Sequence, residues 1–203
     1  MARPSTMAKV RKKEILENFY QVLIDEGLQG ASMAKIAARM GVQPSLLVHY
    51  FSTKEEMVDS LVDYIALRYE ETFLPTLNDI EDPKQRLALL LEEMFSLAWY
   101  MLVDNSAFYA CYYLSFRSQN VKDRFQGMYL RLREVLVQEI RRFRGEDRLS
   151  TRDAESIAEL VIMLLAGFNY YSNIFDNDSR FAEHSRELSE YAMKLIEEFP
   201  GSA

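Results

Sequence analysis

Along most of the chain the apolar residues return every three or four positions, the spacing of one face of an α-helix. No sustained alternation of apolar and polar residues marks a strand. Leu16, Phe19, Leu23 and Ile24 form a first stripe that Gly27 ends, while Met1–Ala8 before it reads as disordered. Met33, Ile36, Ala37 and Met40 fall at i, i+3, i+4 and i+7, and Leu47, Tyr50 and Phe51 give a short helix its inward face. Ser52-Thr53-Lys54-Glu55 has the form of a capping box and opens a helix to about Leu74, where Pro75 stops it. Asp82-Pro83 is an N-cap followed by proline at the first helical position, so a helix is expected from there to about Val103. Asn105–Phe116 carries no charge and five aromatics, and such a stretch is expected to be buried or to line a site. A helix from about Val121 to Arg144 follows, closed by Gly145. In the next, Ala154–Phe175, one face holds Ile157, Leu160, Val161, Leu164, Phe168 and Tyr171 and the other Ile162, Met163 and Ala166, so both sides need cover. The last, about Ser179 to Phe199, is amphipathic, with Phe181, His184, Leu188, Tyr191, Leu195 and Phe199 on one stripe. The pattern predicts an all-α chain.

Two of these helices are short and separated by a tight turn. Ser32 stands at an N-cap position, and Ala37 is small enough for a second helix to cross closely. Gly41 can take the left-handed backbone that reverses the chain, and Pro44 suits the first turn of the next helix. Gln43, Ser45, Leu46, Val48 and His49 are left to face outward, as base-reading residues of a helix-turn-helix do in a major groove. An ordinary helical hairpin with a glycine turn is the competing reading.

The run GVQPSLLVHYFSTKEEMV resembles the signature of the tetracycline-repressor (TetR) family of bacterial regulators: a glycine-hydrophobic turn, a short recognition helix, an aromatic pair (Tyr50, Phe51) and then Lys54. The resemblance covers roughly Ile15 to Met57. It implies a three-helix DNA-binding head over residues 1–53, followed by a larger helical domain over 54–203 that dimerises and binds an effector. It also implies phosphate contacts from Ser32, Tyr50 and Lys54, for the last of which a solvated surface lysine is the competing reading. Two positions depart from the pattern: Leu46 replaces a common threonine and Val48 a common tyrosine, which substitutes apolar contacts, for instance with thymine methyls, for hydrogen bonds.

Charge agrees with that division. The net charge of -7 is that of an acidic chain, yet residues 1–54 hold 8 Lys and Arg against 4 Asp and Glu. The remaining 16 against 27 would be repelled by DNA and help orient the approach. Lys9, Arg11, Lys12 and Lys13 open the first helix and stand either as a phosphate or minor-groove arm or as a solvated terminus; Arg3 is read more readily as the latter. With 203 residues, 49% of them hydrophobic, the chain can bury a large core. Cys111 is the only cysteine, which excludes an intrachain disulfide, suits a reducing cytoplasm and reads as a small buried hydrophobe in preference to a redox sensor. No secretory signal opens the chain, and the longest charge-free run, Leu160–Phe175, is short of the ~20 apolar residues of a membrane span. A cytoplasmic protein with no membrane partner is expected.

Catalytic chemistry finds little support. The two histidines, His49 and His184, lie far apart, no zinc-ligand spacing or glycine-rich phosphate loop occurs, and the paired acids diverge on helix surfaces. No enzyme, metal or cofactor is expected. A homodimer is, through Ile157, Leu160, Leu164 and Phe168 of one helix and Leu188, Tyr191 and Leu195 of the other, because one recognition helix reads too few base pairs alone. A pocket for a small apolar or aromatic effector is expected from the aromatic and soft side chains Phe95, Trp99, Tyr100, Tyr109, Tyr112, Tyr113, Phe116, Met128 and Tyr129, with polar contacts from Asn169 and Tyr170. The expected function is a DNA-binding transcriptional regulator, a repressor of a palindromic operator released by that effector. The alternative is a helix-turn-helix protein with no effector.

Overall fold

The computed structural model describes residues 4–145, 147–175 and 180–200, with backbone alone for 4–6. These form ten helices and one 3-10 turn, with no strand among the described residues. In order they are α1 (Pro4–Gly30), α2 (Met33–Met40), α3 (Pro44–Tyr50), α4 (Lys54–Phe73), the 3-10 turn Leu74–Leu77, α5 (Pro83–Met94), α6 (Leu97–Leu102), α7 (Asn105–Leu114), α8 (Gln119–Arg144), α9 (Thr151–Ile174) and α10 (Phe181–Glu198).

Most boundaries follow from caps. Asp82 accepts from the Gln85 N–H at 2.8 Å and Pro83 occupies the first helical position, which opens α5; Ser150 accepts from the Asp153 N–H at 3.1 Å, which opens α9. Several expectations are corrected. The helix predicted from Asp82 to Val103 breaks at Phe95-Ser96, because the Ser96 hydroxyl accepts from the Trp99 N–H at 3.1 Å and caps a new helix. The capping box at α4 is shifted by one residue: Thr53 Oγ1 accepts from the Glu56 N–H, and the Glu56 carboxylate accepts from the Ser52 N–H at 2.8 Å. The expected disorder over Met1–Ala8 gives way to helix from Pro4, with residues 1–3, Arg3 among them, outside the described part. Ser179, the expected start of the last helix, also lies outside it, and the described helix begins at Phe181.

The chain forms two compact units, cut differently from the 1–53 and 54–203 division. One comprises residues up to Arg68 together with Val103–Met128; the other comprises Tyr69–Leu102 and the chain from Tyr129 onward. In the first, α1 packs on α2 and α3 through buried Ile15, Phe19, Leu23, Ile36, Ala37 and Leu47. The same helix also packs on α7, where the Asp104 N–H donates to the Tyr20 hydroxyl and Ala107 and Cys111 are fully buried. In the second, α5, α8, α9 and α10 enclose a core of Leu87, Leu91, Met94, Leu136, Ile140, Ile157, Val161 and Ile196. Within this core Arg86 donates to the buried carboxylate of Glu139 at 2.8 Å. Arg144 donates to the carbonyls of Ile196, Glu197 and Phe199, which lack intrahelical donors at the end of α10.

Candidate nucleic-acid interface

The geometry of α2 and α3 follows from a handful of residues. Ser32 caps α2, its hydroxyl accepting from the Lys35 N–H at 3.3 Å. Gly41 ends the helix with φ +66°, in the left-handed region that favours glycine, and the Val42 N–H returns to the Ala37 carbonyl at 3.0 Å. Pro44 then starts α3 within three residues of the turn. Leu47 and Phe51 are fully buried, so the rotation of α3 about its axis is fixed from within. That rotation leaves Gln43, Ser45, Val48 and His49 exposed, with Leu46 and Tyr50 half-buried at the margins. The His49 ring meets the Tyr50 ring edge-on at 5.0 Å, which pairs a predicted base-facing side chain with a predicted phosphate-facing one. Arg39 of α2 is paired with Asp25 of α1 at 2.7 Å.

Lys54, the first residue of α4, turns its ammonium toward the end of α1. Its ammonium donates to the carbonyls of Leu28 and Ala31, the latter at 2.7 Å, just beyond the Gly27 kink that interrupts α1. At least two of its three donors are thus directed into the protein. Lys12, from the basic run in α1, instead lies with Nζ 5.0 Å from the centre of the Phe51 ring, beside the residue that caps the end of α3. The sequence left that run open between a DNA arm and a solvated terminus. The signal that placed it was present all the same, because Lys12 precedes buried Ile15, Leu16 and Phe19 by three, four and seven positions.

The residues expected to line an effector pocket are divided between the two units. Tyr109, Tyr112, Tyr113, Phe116 and Met128 belong to the first unit; Phe95, Trp99, Tyr100, Tyr129, Asn169 and Tyr170 belong to the second. In the first, Tyr112 and Phe108 meet Phe125 edge-on at 5.6 Å, but Tyr113 and Phe116 are exposed, the latter by 72%. In the second, Phe95, Trp99 and Tyr100 are core residues, with the Trp99 ring tilted against Tyr69 at 4.4 Å and Phe73 at 4.9 Å. Tyr170 is exposed on the outer side of α9. The Tyr100 hydroxyl reaches Asn173 Oδ1 at 3.3 Å, the Asn173 amide donates to the Asn169 carbonyl, and Asn169 Oδ1 is buried with no hydrogen-bond partner. Cys111 is buried among apolar side chains that push its thiol up to about 12, which keeps it protonated and suits a packing role.

The expected dimer residues divide as well. Ile157 and Phe168 are corrected to the protomer's own core, where Phe168 packs on Phe95 and Phe181. Leu160 and Tyr191 are exposed, and Leu164, Leu188 and Leu195 are half-buried. The outer side of α9 exposes Met163, Ile174 and Tyr171 in addition. Between α9 and α10 lies an open apolar groove of about 300 Å³, lined by Met163, Leu164, Gly167, Phe168, Tyr171, His184 and Leu188.

Two family models match the chain: residues 15–61 match bacterial regulatory proteins of the tetR family, and residues 82–198 match the tetracyclin repressor-like C-terminal domain. The HTH-type transcriptional regulator BetI of Rhizobium meliloti (strain 1021) is 26% identical over 161 residues, which span 79% of this chain and 77% of that one. The nucleoid occlusion factor SlmA of Pectobacterium carotovorum subsp. carotovorum (strain PC1) is 27% identical over 167 residues, 82% of this chain and 83% of its own. Among solved structures, a TetR transcription regulator from Haloarcula marismortui ATCC 43049 gives a TM-score of 0.75 at 22% identity, covering 91% of this chain and 97% of its own. A candidate transcriptional regulator from Saccharomonospora viridis, in complex with choline, gives 0.69 at 16% identity, covering 94% and 97%. At such identities the structural likeness speaks for the fold alone.

Proposed function

This chain belongs to the TetR family of bacterial regulatory proteins and is a DNA-binding transcriptional regulator; on that premise we propose that it is a repressor, binds a palindromic operator as a homodimer and is released by a small effector. The observation that carries the DNA-binding half is the rigid presentation of Gln43, Ser45, Val48 and His49 on α3, whose rotation buried Leu47 and Phe51 fix. In this reading Gln43, Ser45, Leu46, Val48 and His49 meet base edges, and Ser32 and Tyr50 meet phosphates.

For the effector, the supporting observation is the buried, unpartnered Asn169 Oδ1, a polar atom that asks for a donor, on a residue whose carbonyl accepts from the same Asn173 that the Tyr100 hydroxyl reaches. The Saccharomonospora viridis neighbour's complex with choline makes a hydroxyl-bearing ammonium compound the first probe. The second reading, a regulator with no effector, is favoured by the mutual packing of Tyr69, Phe73 and Trp99, which turns those rings onto one another.

Selection from a random DNA pool with the full chain tests the function. A palindrome should emerge, with two half-sites about one helical turn apart or a multiple of that. Gln43→Ala or His49→Ala should change the preferred bases at the cost of ~1–3 kcal/mol per lost contact. Failure to enrich any sequence over the starting pool would remove the operator-binding reading. Calorimetry with choline, with and without the selected operator, then separates an effector from a bystander, since linkage requires operator to weaken a releasing ligand.

A further inference from the structure

On the DNA-binding reading above, we propose that the first turns of α1 are a second DNA-contacting element, in which Lys9 and Lys12 grip the operator's phosphate backbone beside the C-terminal end of the recognition helix. Helical register puts both lysines on the right face. Ile15, Leu16 and Phe19 are buried against the rest of the first unit, and Lys12 continues their face of α1 upstream, with Lys9 one further turn back. The inward stripe of the helix therefore changes from apolar to cationic where the protein core ends. Arg11, which faces elsewhere, is paired with Glu14 at 2.7 Å.

Place follows from contact. The Lys12 ammonium lies 5.0 Å from the Phe51 ring centre, and Phe51 closes α3. A duplex whose major groove receives the outward residues of α3 must carry its phosphates past both ends of so short a helix. Lys12 stands at one of those ends on a flexible four-carbon stem. The phosphate contact implied for Lys54 thereby falls to a different residue, since the Lys54 ammonium donates to the Leu28 and Ala31 carbonyls. A lysine used as a point charge on phosphate adds affinity without sequence information, so the contribution of α1 is uniform across sequences and sensitive to salt.

The test is a salt series of fluorescence-anisotropy titrations with the full chain, on the selected operator and on a scrambled duplex. The Lys9→Gln, Lys12→Gln double variant removes four phosphate contacts from a bound dimer and should lower the slope of log K against log salt by about 3.6, at about 0.9 per contact. It should weaken both duplexes by the same factor and keep the wild-type melting temperature. Lys9→Arg, Lys12→Arg should restore slope and affinity. An unchanged slope in the glutamine variant overturns the proposal, as does a lowered melting temperature with the slope intact, which would make Lys12 only a cover for Phe51. Loss of binding to the operator alone would overturn it too, by making these residues base readers. If the wild type binds neither duplex, the DNA-binding reading itself falls and the proposal with it, a result distinct from all the others.

Discussion

Asp59 of α4 sits where its charge is least welcome. Its Oδ1 is buried without a hydrogen-bond partner, and burial raises its carboxyl above the ordinary value. Arg124 opposes that shift and Asp63, one helical turn on, adds to it; Asn120 lowers it by a hydrogen bond and Glu56 raises it slightly. A carboxyl whose folded-state pKa is raised destabilises the fold wherever both states are ionised. As pH falls the folded state takes up the proton first, and the handicap is gone below the unfolded value of about 3.9. Asp59→Asn should therefore raise the melting temperature at neutral pH, with a gain that shrinks toward pH 4. A gain that is absent at neutral pH, or that grows on acidification, would contradict a raised carboxyl at this position. The sequence announced other residues well: Ile36, Ala37, Leu47 and Phe51 are buried as their spacing requires. It was silent about Asp59, because Arg124 and Asn120, which help decide its environment, lie on α8, some sixty residues away along the chain.

At the scale of elements, caps were legible and side-chain reach was not. Asp82-Pro83, Ser32 and Gly41 each carry their own signal, a short side-chain acceptor or a positive φ. The break at Phe95-Ser96 escaped because Leu91, Met94, Phe95 and Trp99 keep helical spacing across it, so the periodicity is blind to a serine that caps in mid-stripe. On α9 the apolar residues run all round, so spacing alone could not say which of them face inward. The structure settles the face on Ala154, Ile157, Val161, Leu165 and Phe168. Lys54 shows the same limit. Its ammonium ties the start of α4 to the carbonyls of Leu28 and Ala31, where the backbone after Gly27 leaves acceptors without helical donors. Lys54→Met keeps the aliphatic stem and removes both hydrogen bonds, so it should cost roughly 1–3 kcal/mol of stability. With its ammonium engaged inside the protein, the same substitution should leave the salt slope of DNA binding at the wild-type value. A variant as stable as wild type, with the slope of the bound dimer reduced by about two, would return Lys54 to the phosphate contact implied by the family resemblance.

At the scale of the whole molecule, the sequence divided the chain at residue 53, whereas α7 and the first part of α8 fold with the helix-turn-helix. The aromatic richness of residues 105–116 predicted cover or a site, yet Tyr112, Tyr113 and Phe116 stay exposed, and α7 meets α1 beside buried Ala107 and Cys111, through a tie between Tyr20 and Asp104, 84 residues apart. Periodicity carries no information about which helix meets which over such a distance. The outer face of α9 poses the same question across two molecules. By length and apolarity α9 would reach across a bilayer, yet its inner face is core, and Leu160, Met163, Tyr170 and Ile174 project from the other side. Tyr191 of α10 is exposed as well, and the groove between the two helices opens beside Gly167, where nothing stands within 4 Å of an added Cβ. Two copies joined through α9 and α10 would cover these residues in a four-helix bundle and space two recognition helices for a palindrome. Because Met163 and Tyr191 are each more than 60% exposed in the protomer, charging them leaves its core intact. In the dimer the same charges would be buried without partners, at about 3–5 kcal/mol, enough to weaken association by about 100-fold or more. Met163→Glu, Tyr191→Glu should thus give a folded monomer by light scattering, with wild-type helicity by circular dichroism and little affinity for the full palindrome. A double variant that remains dimeric at micromolar concentration would show that the two copies meet elsewhere.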